Sequence, residues 1–338
     1  MEFVDIAGTG LRVARVALGT WAMGGWMWGG TDQRKAADTV STALDLGINL
    51  IDTAPAYGFG VSEDIVGAAI AAAGARSHVV FATKVGIEWR DGAVYRNASR
   101  ERIMSEIGDS LRRLRTDHVD IYQVHWPDPL VPIAETAAAM RELLEQGKIR
   151  AIGVSNFSVA QMKEFREVAP IHVAQCPFNL FERDIEREIL PYCQANGIVT
   201  FGYGALCRGL LSGRMRTSTR FPDGDLRQVD PKFQQPRFTQ YLAATQELDH
   251  FARTRYQRRV IHLAVRWMLD RGISVALWGA RSPDQLLPVL ETSGWNLDEA
   301  ALARINRLLR ATITNPVGPE FMAPPTRQRI TLTGASKK

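Results

Sequence analysis

The chain is 338 residues long, 46% hydrophobic, 23% charged and 8% aromatic, the profile of an ordinary globular protein. That composition excludes collagen-like, disordered and coiled-coil chains, and no stretch approaches the ~18 unbroken apolar residues of a membrane span. The formal charge of +5 is mild. Its tightest clusters, Arg112–Arg113–Arg115 and Arg253–Arg255–Arg258–Arg259, fall in helical patterns as solvated faces do, so no nucleic-acid partner is expected.

In chain order, the N-terminus reads as a hairpin, Glu2–Ile6 and Leu11–Arg15, turning on Ala7-Gly8-Thr9-Gly10. No third glycine follows at the spacing of a dinucleotide fingerprint, so a turn explains those glycines better. Met1–Asp5 has no positive region followed by an apolar run, so no signal peptide is expected there. Beyond it, short β-branched runs alternate with longer helical patterns. Strands are expected at Val13–Leu18, Asn49–Asp52, Val79–Lys84, Val119–His125, Ile149–Val154, His172–Gln175, Val199–Gly202 and Ser274–Leu277. Helices are expected at Arg34–Leu46, Glu63–Ala73, Arg100–Leu114, Pro132–Gln146, Val159–Val168, Ile185–Ala195, Arg258–Asp270 and Pro283–Leu290. Ser99 stands as an N-cap, and Gly47, Gly147, Gly197 and Gly272 sit just past helix ends.

Apolar strands joined by crossover-length helices predict a parallel sheet covered on both faces. Eight such units favour a closed (β/α)8 TIM barrel of about 250 residues over two open sheets. The remaining ~90 residues go to the hairpin, to a long irregular loop Ala205–Gln240 after strand seven, and to a C-terminal helix Asp298–Leu309 with a polar tail. A single domain is expected over 1–338, with the barrel core at about 13–292 and the C-terminal helix and tail at 298–338. A loop of that length in a compact domain is usually functional.

The cysteines, Cys176, Cys193 and Cys207, are odd in number and widely spaced, and the six histidines form no ligand cluster, so no metal is expected. A reducing, cytoplasmic setting follows as the default, with no membrane association, and a monomer favoured over an assembly.

In such a barrel, chemistry sits at the C-terminal strand ends. Those positions hold Asp52, then Tyr57 in the following loop, Lys84 and His125. An apolar strand ending in a charged residue needs a reason, because an unpaired buried charge is expensive. Asp52 and Lys84 can neutralise one another across the barrel mouth. Tyr57 then has a cation beside it, which should lower its proton affinity and make it a proton donor, and His125 can orient a substrate oxygen. The set suits protonation of a carbonyl oxygen while a hydride reaches its carbon. Each residue alone has a plainer reading, as an ion pair, a loop anchor or a polar cap. Their fall on three successive strand ends weighs against it.

Ile51-Asp52-Thr53-Ala54-Pro55-Ala56-Tyr57-Gly58, with Ser62-Glu63 and Gly67, resembles the N-terminal signature of the aldo-keto reductases. So do Thr83-Lys84, Asp120-Ile121-Tyr122-Gln123-Val124-His125-Trp126-Pro127 and Gly147-Lys148-Ile149-Arg150-Ala151-Ile152-Gly153-Val154-Ser155-Asn156-Phe157. The resemblance runs from about Gly19 to about Gln285, and the chain also bears a distant similarity to potassium-channel β subunits, which resemble that family. It implies a (β/α)8 barrel using NADPH/NADP+, with Asp52, Tyr57, Lys84 and His125 as its catalytic tetrad.

It implies cofactor positions too. Gly19, Thr20 and Trp21 lie beside the cofactor, as does Asp52, while Ser155, Asn156 and Gln175 hold the nicotinamide carboxamide. Tyr203 stacks under the ring. Gly204, Ala205, Leu206, Arg208, Gly209 and Arg214 belong to a loop folded over the pyrophosphate. Gly279 and Arg281 open a helix at a 2′-phosphate site, and Gln285 faces the adenosine. The chain departs from the pattern at Trp278, where many relatives have Pro, and at Pro288 and Val289, which replace a polar pair near the adenine.

Aromatics in loops are harder to dismiss as core than those on helices. Trp26, Trp28, Trp89 and Trp126 are therefore expected to wall a substrate pocket suited to aldehydes or ketones with an apolar body. The leading expectation is an NADPH-dependent carbonyl reductase. An alcohol or polyol dehydrogenase working in the oxidative direction and an NADP(H)-binding redox-sensing subunit are the alternatives.

Overall fold

The computed structural model describes residues 1–90 and 92–327; the end of the expected C-terminal tail lies outside the described residues. Its strands are β1 (Phe3–Ile6), β2 (Leu11–Ala14), β3 (Val16–Gly19), β4 (Leu50–Asp52), β5 (Val80–Val85), β6 (Ile87–Arg90), β7 (Ala93–Arg96), β8 (Val119–Val124), β9 (Ile149–Ser155), β10 (Val173–Pro177), β11 (Val199–Tyr203) and β12 (Val275–Gly279). β3, β4, β5, β8, β9, β10, β11 and β12 close in that order into a parallel barrel. Each expected barrel strand is present. The first, drawn over Val13–Leu18, divides at Arg15 into the hairpin's second arm and β3.

The helices are α1 (Gln33–Asp45), α2 (Val61–Ala72), α3 (Arg100–Leu114), α4 (Ile133–Glu145), α5 (Val159–Arg166), α6 (Ile189–Ala195), α7 (Arg237–Tyr256), α8 (Val260–Asp270) and α9 (Glu299–Thr312). Their ends follow side-chain chemistry. Ser99 accepts from the Arg102 N–H at the start of α3, and Ser158 forms a capping box with Gln161 on α5.

Inside the barrel, successive layers come from alternate strands. β4, β8, β10 and β12 contribute Leu50, Ile121, Val173 and Val275 to the inner core, and Ile6, Leu11 and Val13 of the β1–β2 hairpin join that cluster from below. The hairpin is fastened there by Asn49, whose side chain accepts from the Ala14 N–H at 2.8 Å and donates to Arg12 O at 2.8 Å. A second, larger core fills the space between strands and helices.

Two expectations need correction, and two further elements were not foreseen. Pro283–Leu290 is not an α-helix but two 3-10 turns, Pro283–Gln285 and Leu287–Thr292. Pro288 cannot donate to a helical partner, and its ring obstructs the preceding turn. The loop Ala205–Gln240 is not without regular structure: it holds 3-10 turns at Cys207–Ser212, Leu226–Gln228 and Pro231–Phe233. It ends where α7 begins, directly after Pro236, and that twenty-residue helix was not anticipated. Nor was the β6–β7 hairpin that rises after β5.

Candidate active site

The Tyr57 loop is held against the turn after β3 by backbone contact. A Cβ on Gly24 would lie 2.3 Å from Tyr57 O, and one on Gly58 would lie 2.0 Å from Gly24 O. Gly58 has φ 71°, open to glycine at little cost, so both positions need the missing side chain. Behind the loop, Ser62 Oγ donates to Thr20 Oγ1 at 2.7 Å, and Thr20 Oγ1 donates to Asp52 O at 2.9 Å. Glu63 accepts from Thr83 Oγ1 and from Arg113 Nε, each at 2.6 Å. The Ser62-Glu63 pair thus ties the ends of β3, β4 and β5 together.

On this frame the tetrad converges. Lys84, wholly buried, donates to Asp52 Oδ1 at 2.6 Å and to Thr53 O at 2.9 Å. Its ammonium lies 4.9 Å from the Tyr57 ring centroid, and the His125 ring meets Tyr57 edge-on at 5.8 Å. Burial first, then the Lys84 charge, pushes the His125 imidazole well below its usual range, so it is neutral. Burial, followed by the Asp52 charge, pushes the Tyr57 phenol well above its usual range. This reverses the expectation that the Lys84–Asp52 pair lowers the proton affinity of Tyr57. The ammonium is committed to Asp52 and Thr53, and desolvation dominates at a fully buried phenol. Tyr57 therefore carries its proton through neutral and mildly alkaline pH.

Above the tetrad opens a cavity of about 710 Å³, within the usual range for small-molecule and cofactor sites. Asp52, Tyr57 and His125 line it; Lys84 stands behind them. Every expected cofactor position lines it as well, from Gly19, Thr20 and Trp21 through Ser155, Asn156, Gln175 and Tyr203, along Gly204, Ala205, Leu206, Arg208, Gly209 and Arg214, to Gly279, Arg281 and Gln285. Asn156, with φ 62°, donates through Nδ2 to His125 O and to Ser155 Oγ and accepts from Tyr203 OH at 2.9 Å. Gln175 donates to Asp52 Oδ2 at 2.8 Å.

The three arginines differ. Arg281 donates from its side chain to Trp28 O at 2.9 Å and from its backbone N–H to Gln285 Oε1 at 3.1 Å. Arg214 lies 3.7 Å from Asp284 and is open to solvent. Arg208 is buried and paired with Glu182 at 2.5 Å and Asp230 at 2.6 Å. Lys232 completes a buried four-charge cluster at 2.8 Å from Glu182 and donates to Gly318 O at 2.8 Å. The Arg208 charge is thus spent inside the protein. Because no α-helix starts after Arg281, the expected helix terminus there is replaced by a short turn, on which Trp278 Nε1 donates to Gln285 O.

Of the four tryptophans expected to wall a substrate pocket, Trp26, Trp28 and Trp126 line the cavity. Trp89 does not. It packs against Phe59 at 5.4 Å, which in turn packs against Trp26 at 5.0 Å, and so supports the wall from behind. Several wall residues escaped sequence reasoning. Ile87 and Val94 come from the unforeseen hairpin, Arg227 from the long loop, and Phe321, Met322, Ala323, Pro324 and Pro325 from the C-terminal segment. That segment is fastened by Arg96, whose backbone N–H donates to Pro325 O and whose Nε donates to Pro324 O, both at 2.9 Å. The apolar pair Phe321-Met322 in an otherwise polar tail was the available signal.

The fold is thus a parallel eight-stranded barrel with a buried Asp–Lys pair under a rim tyrosine. The model of the Aldo/keto reductase family matches residues 15–310, and the chain belongs to that family. It is 57% identical to the aldo-keto reductase YhdN of Bacillus subtilis, over 98% of this chain and all of the relative. Among solved structures it resembles a glycerol dehydrogenase of Gluconobacter oxydans (TM-score 0.86, 50% identity), covering 95% of this chain and 99% of that one. It also resembles an aldo-keto reductase of Klebsiella pneumoniae in complex with NADPH (TM-score 0.70, 28% identity), covering 89% and 93%. Among the described residues no group of His, Cys, Asp or Glu could hold a metal ion, and no helix is long and apolar enough to cross a membrane. Cys176, Cys193 and Cys207 are free thiols, all buried.

Proposed function

We propose that the chain is an NADPH-dependent oxidoreductase that reduces aldehydes and ketones to alcohols. The observation that carries this reading is the buried Lys84–Asp52 pair beneath the Tyr57 ring, with a neutral His125 at its edge, on the floor of one cavity. The cavity fits the cofactor: Arg281 and Arg214 stand on its wall, and the indole Nε1 of Trp28 is buried beside them with no partner. Arg281 and Arg214 would hold phosphate oxygens, Tyr203 would stack against the nicotinamide, and Ser155, Asn156 and Gln175 would receive its carboxamide. NADPH, when bound, supplies the hydride.

The protein's own residues do the rest. His125 holds the carbonyl oxygen at the Tyr57 hydroxyl. As negative charge grows on that oxygen, Tyr57 gives up its proton. Asp52 keeps Lys84 in place and charged beneath the ring, so the floor under Tyr57 stays fixed as the proton leaves. Trp26, Trp126 and Phe321 exclude water and receive an apolar substrate body. Steady-state oxidation of NADPH with a panel of aldehydes and ketones tests the reading; absence of turnover across the panel would sink it.

Likeness to a glycerol dehydrogenase at 50% identity favours a second reading, in which the same tetrad works in the oxidative direction. The substrate panel, run with alcohols and NADP+, decides between them.

The cofactor preference makes a separate prediction. Arg281→Ala is expected to reduce kcat/KM with NADPH by roughly 10- to 150-fold, the loss of a charge-assisted contact worth about 1.5–3 kcal/mol, and to leave NADH nearly unchanged. Equal losses with both cofactors would remove Arg281 from the 2′-phosphate.

A further inference from the structure

The uppermost layer of the barrel interior is polar where the layer beneath is aliphatic. Two residues beyond Leu50, Ile121, Val173 and Val275, the same four strands present Asp52, Gln123, Gln175 and Leu277. Gln123 is wholly buried, and Gln175 is 2% exposed. Their amides close a triangle on one carboxylate oxygen. Gln123 Nε2 donates to Asp52 Oδ2 at 3.1 Å, and Gln175 Nε2 donates to the same atom at 2.8 Å and to Gln123 Oε1 at 3.2 Å. Room for Gln123 comes from Gly153 on the adjacent β9, where a Cβ would fall 2.6 Å from Gln123 Cγ. Asp52 and Gln175 line the cavity; Gln123 does not.

A buried amide must satisfy both of its ends. With a carboxylate at the centre of the triangle, both NH2 groups turn toward Asp52. That turn leaves the carbonyl oxygen of Gln175 as the group offered to the cavity. We propose that Gln123 is a positioning residue that fixes the orientation of the Gln175 amide and so couples the carboxamide-receiving end of the site to Asp52. The proposal rests on the cofactor role given above to Gln175. Without the acceptor on Gln123, the Gln175 amide loses one of the two partners that set its direction.

NADPH titration followed by fluorescence tests this, because it reads binding whatever the substrate and whether or not turnover occurs. Gln175→Leu is expected to weaken Kd about 10-fold, and Gln123→Leu about 5-fold although it does not line the cavity. In the Gln175→Leu background, adding Gln123→Leu should change Kd by less than about two-fold, since coupled residues are not additive. Leucine suits a layer that already holds Leu277 above Ile121 and Val275. Gly153→Ala provides a second route: it keeps Gln123 but displaces it, and should weaken Kd by a similar factor. Additive effects in the double variant overturn the proposal. So does an unchanged Kd in Gln123→Leu and Gly153→Ala alongside a lowered Tm, which is the mark of a merely structural role. An unchanged Kd in Gln175→Leu overturns it too. Wild-type protein that binds NADPH but reduces no carbonyl sinks the functional reading and leaves this coupling standing.

Discussion

Tyr57→Phe is expected to lower kcat for carbonyl reduction by about 10²- to 10⁴-fold, the usual contribution of a positioned general acid, with NADPH binding intact. The geometry explains why one oxygen atom carries so much. The phenol is buried and its pKa is pushed up, so it is protonated and able to donate at neutral pH. His125 is neutral and nearby, yet its ring stands edge-on to Tyr57 and not in its place. The ring contact with Trp21 at 6.1 Å and the Lys84 ammonium both persist in the phenylalanine variant, so the loop should keep its shape. Stopped-flow single turnovers and fluorescence quenching separate the two effects. Near-wild-type reduction of a test aldehyde by the variant would remove Tyr57 from the proton-donor role.

Glu182→Gln should be the most damaging change to stability, about 3–5 kcal/mol, because it leaves Arg208 and Lys232 buried with Asp230 as their remaining carboxylate. For a chain of this length that corresponds to a fall in Tm of roughly 4–7 °C. The same residue predicts a pH dependence. Burial raises the Glu182 pKa, but Arg208 and Lys232 outweigh it and hold the carboxyl down at about 2, against 4.5 ordinarily. A depressed carboxylate contributes stability above its unfolded pKa and loses it as pH falls toward the folded one. The contribution, of order 3 kcal/mol, is therefore present at neutral pH and disappears between about pH 4.5 and 2. Denaturant midpoints for wild type and Glu182→Gln should converge across that window; a constant gap between them would show that Glu182 is not the titrating group.

Much of the site was readable from residue types alone. Asp52, Lys84 and His125 each stand at or beside the end of a strand, and the cost of stranding polar groups there made them stand out before any geometry was known. The same logic applies to Gln123, a polar residue on the strand face of the barrel-core Ile121, but its partner Gln175 lies on another strand, and only barrel closure brings the two together. Arg208 shows the opposite limit. Its charge was visible, yet Glu182 and Asp230 are remote in sequence and meet it only through loop packing, so the pairing of a cation that also lines the cavity could not be foreseen. The helix α7 carried a periodic signal in Phe238, Tyr241, Leu242, Thr245 and Leu248, all buried. Pro231 and Pro236 masked it, although a proline directly before a helix begins is compatible with the helix. The C-terminal wall left the faintest trace, since a segment without periodicity announces neither its path nor its neighbour.

The pairing of Arg96 with Pro324 and Pro325 makes the chain's two ends unequal as handles. A support or fusion partner attached near the C-terminal segment would pull on a wall of the cavity and, under the function proposed above, should change which carbonyls are accepted. The turn at Gly8–Gly10, by contrast, lies at the opposite mouth of the barrel, where the hairpin plugs the floor. An immobilised catalyst anchored there would keep its entrance facing solution.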